Sequence, residues 1–215
     1  MDRRSRLQAA RLYLVTPAIA PDRLHAALAA GVDIVQLRIK TPEGDDELLR
    51  EAAIVRDACA AAGALFVLND RPDLVRACGA DGVHVGQDDL AIAAARALVG
   101  PDRIVGLSTH SPAQIDAAHA ADGRVDYIGV GPVHATPTKP GRAAVGLDLV
   151  TDAAARATLP FFAIGGVDSA TVAAVRAAGA TRVAVVRAVT EAADPAATVR
   201  ELRAALGEEA RVGIA

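Results

Sequence analysis

Short aliphatic runs alternate with longer stretches of helical spacing, and the alternation repeats eight times along the chain. The runs occupy residues 12–15, 34–37, 65–68, 82–85, 104–107, 127–130, 161–164 and 183–186. Between them lie alanine-rich segments whose apolar positions recur with a period near 3.6, as at 45–62, 91–99, 112–120 and 169–178. Ser111-Pro112 and Asp194-Pro195 each place a capping side chain before a first-turn proline. Gly31, Gly63, Gly79 and Gly179 stand where helix C-termini favour glycine. Alternating β and α units predict a parallel sheet with right-handed crossovers. Eight of them in 215 residues predict the α/β class and a single (β/α)₈ TIM barrel with a short N-terminal extension, residues 1–215 forming one domain. The rival is a doubly wound open sheet, but no G-x-G-x-x-G follows the first run, and no Pro/Ser-rich linker divides the chain.

Composition sharpens this picture and narrows the partners. Hydrophobic residues make up 52% of the chain and aromatics only 2%, a mix suited to helices packed on a buried parallel sheet. Scarce aromatics and a net charge of −3 argue against a nucleic-acid surface. No stretch approaches the roughly 20 uninterrupted apolar residues of a membrane span. The charged start, Met1 to Arg6, leads into Leu7-Gln8-Ala9-Ala10-Arg11 without a signal-peptide core. Cys59 and Cys78 both fall in helical sequence and make neither a disulfide framework nor a zinc site, so a reduced, cytoplasmic setting is expected.

In such a barrel the site lies at the C-terminal ends of the strands, and there this chain is polar. Gln36-Leu37-Arg38-Ile39-Lys40 extends the second run, and strand alternation points Gln36, Arg38 and Lys40 to one face, with Leu37 and Ile39 on the other. Two cations and an amide on the barrel side make a phosphate-sized anion site, unless they are only a solvated strand end. Asn69-Asp70 ends the third run, and Gln87-Asp88-Asp89 follows the fourth. Carboxylates from adjacent strand ends can share a divalent ion, and Mg²⁺ needs few of them because it keeps waters and takes phosphate oxygens. Spacing leaves open which of Asp88 and Asp89 points inward; one of the two is expected to cap the helix starting near Leu90. After the sixth run, Gly129-Val130-Gly131-Pro132 leads into Thr136-Pro137-Thr138-Lys139-Pro140-Gly141, which reads as a proline-stiffened lid or as an ordinary turn-rich connection. Gly165-Gly166 and Val186-Arg187 follow the seventh and eighth runs, where barrels often bind phosphate through backbone N–H groups. His25 and His119 fall in helical sequence, and His84, between Val83 and Val85, reads as a hydrogen-bonded core residue. His110 and His134 lie on the site side without an assigned role. With no nucleophile–base arrangement and no Cys/His cluster, the chemistry is expected to rest on metal and charge placement.

Seven collinear motifs carry a resemblance. They are Gln36-Leu37-Arg38-x-Lys40, Asn69-Asp70-Arg71, Gly82-Val83-His84-Val85-Gly86-Gln87-x-Asp89, Gly106-Leu107-Ser108-Thr109-His110, Asp126-Tyr127-Ile128-Gly129-x-Gly131-Pro132, Thr136-x-Thr138-Lys139 and Ile164-Gly165-Gly166. Together they resemble the thiamine phosphate synthase family from about Tyr13 to Arg187. The resemblance implies a transferase of thiamine biosynthesis that joins a hydroxymethylpyrimidine pyrophosphate to a hydroxyethylthiazole phosphate, or its carboxylated form, and releases pyrophosphate. It implies that Asp70 and Asp89 bind Mg²⁺. It places the pyrimidine pyrophosphate on the stretch from Gln36 to Lys40, with Asn69, Ser108 and Lys139, and makes Arg38, Lys40, Ser108 and Lys139 the catalytic group. The thiazole phosphate would lie on Thr136, Pro137, Thr138, Gly166, Val186 and Arg187. Both substrates are small molecules; no nucleic acid or membrane partner is implied.

Three positions depart from the family's pattern. Ile39 stands where Glu is common, on the face turned away from the barrel; His134 replaces a usual aromatic in the lid; Arg187 replaces a usual Ser. A guanidinium at 187 contacts the phosphate directly or points outward while backbone N–H groups bind, and the residues leave both open. A thiazole tautomerase barrel is disfavoured because that group carries His after the strand-six glycine, where this chain has Pro132. A barrel that only binds thiamine precursors would be expected to have lost a charged site residue, and none is lost.

Overall fold

Every second residue of the eight runs turns into the barrel, and the residues between face the helices, so both faces of each strand are buried. Tyr13, Val15, Ile34, Leu65, Val67, Ile104, Tyr127, Phe162 and Ala184 form the inner core. Leu12, Leu14, Val35, Leu37, Phe66 and Leu68 belong to the larger outer core beneath the helices. This two-sided burial is why the strands read as unbroken aliphatic runs.

A computed structural model describes residues 2–40, 42–121, 123–136 and 143–207. The strands are β1 Leu12–Thr16, β2 Ile34–Leu37, β3 Leu65–Asn69, β4 Gly82–Val85, β5 Ile104–Thr109, β6 Tyr127–Val130, β7 Phe161–Ile164 and β8 Val183–Val185. They pair in parallel, each with the next and β8 with β1, as a closed eight-stranded barrel. The helices are α1 Arg3–Ala9, α2 Pro21–Ala29, α3 Asp45–Ala62, α4 Val75–Cys78 and α5 Ile92–Val99. They continue with α6 Pro112–His119, α7 Gly146–Arg156, α8 Val172–Ala177, α9 Arg187–Thr190 and α10 Pro195–Ala205. The anticipated caps are in place: Ser111 accepts from Gln114 N at 3.3 Å, and Asp194 from Ala197 N at 2.9 Å. No helix among the described residues is long and apolar enough to cross a membrane.

The N-terminal extension has a structural task. Helix α1 lies across the N-terminal mouth of the barrel, where Leu7 and the following Ala10 join the inner core. Arg3 and Arg4 tie it down through ion pairs of 2.8 Å to Asp81 and to Asp126. The barrel is thus floored at one end and open at the other, where the strands' polar tips converge.

Both tyrosines of this aromatic-poor chain sit in the barrel interior. Their rings meet Phe162 edge-on, at centroid distances of 5.3 Å for Tyr13 and 5.7 Å for Tyr127. Tyr127 has room because the inward position beside it on β5 is Gly106: a Cβ there would stand 2.1 Å from the Tyr127 ring. Gly106→Ala is therefore expected to destabilise the barrel by about 3 kcal/mol through overpacking. Urea denaturation measures this, and an unchanged midpoint would contradict the packing argument.

Candidate active site

Strand ends of the open mouth surround a cavity of about 630 Å³, a size ordinary for small-molecule sites. Gln36, Arg38 and Lys40 line it from the end of β2. Leu37 and Ile39 do not: Leu37 is fully buried in the outer core and Ile39 packs against the same cluster. The alternation of the strand itself turns both side chains away from the cavity.

Asn69 and Asp70 enter from β3, and Asp88 and Asp89 from the loop after β4. Asp70 has φ +57°, the left-handed region, as no other non-glycine residue does among those described. That conformation carries a cost of order 1 kcal/mol and turns the carboxylate off the strand axis toward its neighbours. Asn69 Nδ2 donates to Asp70 Oδ2 at 2.5 Å, and Asp70 N continues the ladder to His84 O at 2.9 Å. Asp89 is held from the other side, where its Oδ2 accepts from Gly86 N at 2.7 Å. The expected helix cap is not observed. Helix α5 starts from Ala91 with no side-chain cap, because Asp89 bends back to the end of its own strand.

The two carboxyl groups come close enough to interact. Burial first, then a hydrogen bond and charge repulsion from Asp89, push the Asp70 carboxyl up to about 6, while Asn69 and the Arg38 guanidinium pull the other way. Two like charges pressed together at the head of a cation-lined cavity suit a hard divalent cation. Among the described residues no group of three or more His, Cys, Asp or Glu side chains could hold a metal. A pair of carboxylates alone fits Mg²⁺, which completes its shell with water and phosphate oxygens, better than a metal needing a full protein ligand set.

Across the closed barrel from β3 stand β7 and β8. Gly165, Gly166, Val186 and Arg187 line the cavity there. The glycine pair is used by the protein itself: a Cβ on Gly165 would lie 2.5 Å from Pro132, and one on Gly166 would lie 2.7 Å from His134 Cβ. His134 N donates to Gly165 O at 2.9 Å, so the start of the β6 loop is docked on this turn. Arg187 has a half-exposed side chain that lies 3.9 Å from Glu191, one helical turn on. Thr136 lines the cavity, whereas Pro137, Thr138 and Lys139 fall outside the described residues.

Ser108 lines the cavity from β5, almost wholly buried, and Gln87 Nε2 donates to its carbonyl at 2.6 Å. His110 also lines it, with Nδ1 against Gly131 O. Sequence reasoning assigned no site role to Tyr13, Tyr127 or Gln87, which line the same cavity. For the tyrosines the available signal was their place on inward positions of strands otherwise filled with aliphatic residues.

A cationic strand end beside an acidic pair, lining one cavity at the open end of a (β/α)₈ barrel, is the arrangement of an enzyme acting on small molecules. The family model described as thiamine monophosphate synthase matches residues 12–189. The thiamine-phosphate synthase of Arthrobacter sp. (strain FB24) is 48% identical over 233 residues, covering 96% of this chain and 98% of that one. The thiamine-phosphate synthase of Gloeobacter violaceus is 53% identical over 201 residues, covering 92% of this chain; the chain spans only 58% of that relative's length. Among solved structures, thiamine phosphate pyrophosphorylase from Pyrococcus furiosus superposes with a TM-score of 0.81 at 29% identity, covering 95% of this chain and 97% of that one. The chain belongs to the thiamine monophosphate synthase family.

Proposed function

We propose that this chain is a thiamine-phosphate synthase that condenses a hydroxymethylpyrimidine pyrophosphate with a hydroxyethylthiazole phosphate, or its carboxylated form, at the open mouth of the barrel. One observation carries the reading: the cations and the carboxylate pair occupy one side of a single cavity, and the glycine turn after β7 with the end of β8 the other. Two anionic substrates can then lie with their reacting carbon and nitrogen facing each other between two anion sites.

Arg38 and Lys40 bind the pyrophosphate, and their charges neutralise its oxygens as the bond to the pyrimidine methylene breaks. Gln36, Asn69 and Ser108 orient the pyrimidine so that its π-system can share the positive charge left on that carbon. Lys139 is assigned to the same pyrophosphate. Asp70 and Asp89 would hold Mg²⁺, which supplies further charge neutralisation to the leaving group when bound. On the far side, Thr136, Thr138, Gly166 and the Val186–Arg187 turn hold the thiazole phosphate, and Pro137 is assigned to the same site. The step is dissociative: pyrophosphate leaves with the electron pair of the carbon–oxygen bond. The thiazole nitrogen held there then donates its lone pair to the carbocation-like carbon, forming the new C–N bond. Orientation and charge placement account for the rate, and no protein nucleophile is involved.

Arg187 distinguishes two ways of holding the thiazole phosphate. Its engagement with Glu191 at 3.9 Å favours binding by backbone N–H groups. Arg187→Ser is therefore expected to leave the thiazole phosphate KM within about threefold of the parent. A charge-assisted hydrogen bond is worth roughly 1.5–3 kcal/mol, so a rise of about tenfold or more would place the guanidinium on the phosphate instead. For the reaction as a whole, expression in a bacterium lacking its own thiamine-phosphate synthase is expected to restore growth without thiamine. Failure to do so with soluble protein present contradicts the proposal.

A further inference from the structure

Five polar side chains form one unbroken hydrogen-bonded chain through the inside of the barrel. Gln36 Nε2 donates to Tyr13 Oη at 2.7 Å, and Tyr13 Oη lies 2.8 Å from Tyr127 Oη. Tyr127 Oη is 3.0 Å from His84 Nδ1, and His84 Nε2 is 2.9 Å from Ser108 Oγ. The chain starts on β2 and ends on β5, so its two termini approach the cavity from strands three apart in the barrel. The protein makes room for it on β5, where a Cβ on Gly106 would strike the Tyr127 ring at 2.1 Å.

Elementary proton counting gives the chain a direction. A phenol has one proton to donate, and Tyr13 already accepts from the Gln36 amide. Tyr13 and Tyr127 are buried, so a hydroxyl proton left without an acceptor would be costly. The arrangement that strands no proton has Tyr13 donating to Tyr127 and Tyr127 donating to His84 Nδ1. His84 is then neutral, carries its proton on Nε2 and donates it to Ser108 Oγ. Ser108 accepts from below, which leaves its own proton for an acceptor in the cavity. Burial pushes both phenols above their ordinary range, so the donors stay protonated at neutral pH.

We propose that Tyr13, Tyr127 and His84 are positioning residues that fix the Ser108 hydroxyl as a hydrogen-bond donor to the pyrimidine substrate, with the sense of the chain set at Gln36. This rests on the assignment of Gln36 and Ser108 to that substrate under the proposed function. A purely structural polar core would hold the same proton order, but its loss would affect both substrates alike.

The test begins on the unmodified protein, labelled with ¹⁵N-histidine, with His84 signals identified as those missing from His84→Asn. Long-range ¹H–¹⁵N correlation is expected to show His84 protonated on Nε2 alone at neutral pH; protonation on Nδ1, or on both nitrogens, overturns the proposal. In Tyr127→Phe, which cuts the chain at its centre, the pure Nε2–H pattern is expected to give way to a mixture of tautomers. The KM of the pyrimidine pyrophosphate is expected to rise about threefold to tenfold, the effect of one neutral hydrogen bond, while the thiazole phosphate KM stays unchanged. Adding Tyr13→Phe is expected to cost nothing more, because the chain is already broken. Parental kinetics together with an unchanged His84 tautomer in Tyr127→Phe also overturn the proposal. If Tyr127→Phe does not fold, the tautomer in the unmodified protein decides. An unmodified protein with the expected tautomer but no synthase activity would count against the proposed function and leave the proton direction standing.

Discussion

Asp70→Ala and Asp89→Ala are each expected to lower turnover by about 10²-fold or more, with Mg²⁺ in excess. The two carboxylates come together from adjacent strand ends, and the Asp70 carboxyl is raised to about 6 by burial and by Asp89. A folded chain that holds two such groups together has placed repulsion where a cation would relieve it. Losing either group leaves a divalent ion with a single protein carboxylate, and removal of a major charge-stabilising element costs on this scale. The fold is expected to survive, because both side chains lie beyond the strand ladder; circular dichroism of the variants checks this. Excess chelator is expected to abolish turnover of the parent, and full activity in chelator would contradict the assignment of this pair.

Arg38→Met is expected to reduce kcat/KM for the pyrimidine pyrophosphate by about 10²-fold, and Arg38→Lys to recover only part of the loss. Arg38 lines the cavity and lies near enough to Asp70 for its charge to lower that carboxyl's pKa. A guanidinium presents a planar fork of donors to phosphate oxygens, which an ammonium matches in charge but not in geometry. Its removal also strips the carboxylate pair of a neighbouring cation, so both features of the site weaken together. A loss under about threefold in Arg38→Met would show that the guanidinium is solvent chemistry at the rim.

Much of this architecture was legible in the sequence, because a barrel strand buried on both faces has a signal of its own. The runs at 34–37, 82–85, 127–130 and 161–164 coincide with β2, β4, β6 and β7. Strand β5 runs on to Thr109, past the apolar stretch, because Ser108 and Thr109 keep pairing with Gly129 and Val130. The helical segment expected at 169–178 shortens to α8 because Asp168 Oδ1 accepts from Thr171 N at 2.9 Å and holds a turn ahead of it. At the site, alternation correctly sorted Gln36, Arg38 and Lys40 from Leu37 and Ile39. Spacing could not choose between Asp88 and Asp89, since the choice depends on one bond from Gly86 N to Asp89. The left-handed backbone of Asp70 leaves no mark on residue order. Nor does the Gln36-to-Ser108 chain, whose members are up to 114 residues apart and meet only when the barrel closes.

Pyrophosphate release by the purified protein tests the central claim most directly, measured in Mg²⁺ with the pyrimidine pyrophosphate alone, with the thiazole phosphate alone, and with both. Release is expected only when both are present, matched mole for mole by thiamine phosphate. No release from the pair, or a rearranged thiazole with no pyrimidine consumed, would contradict it.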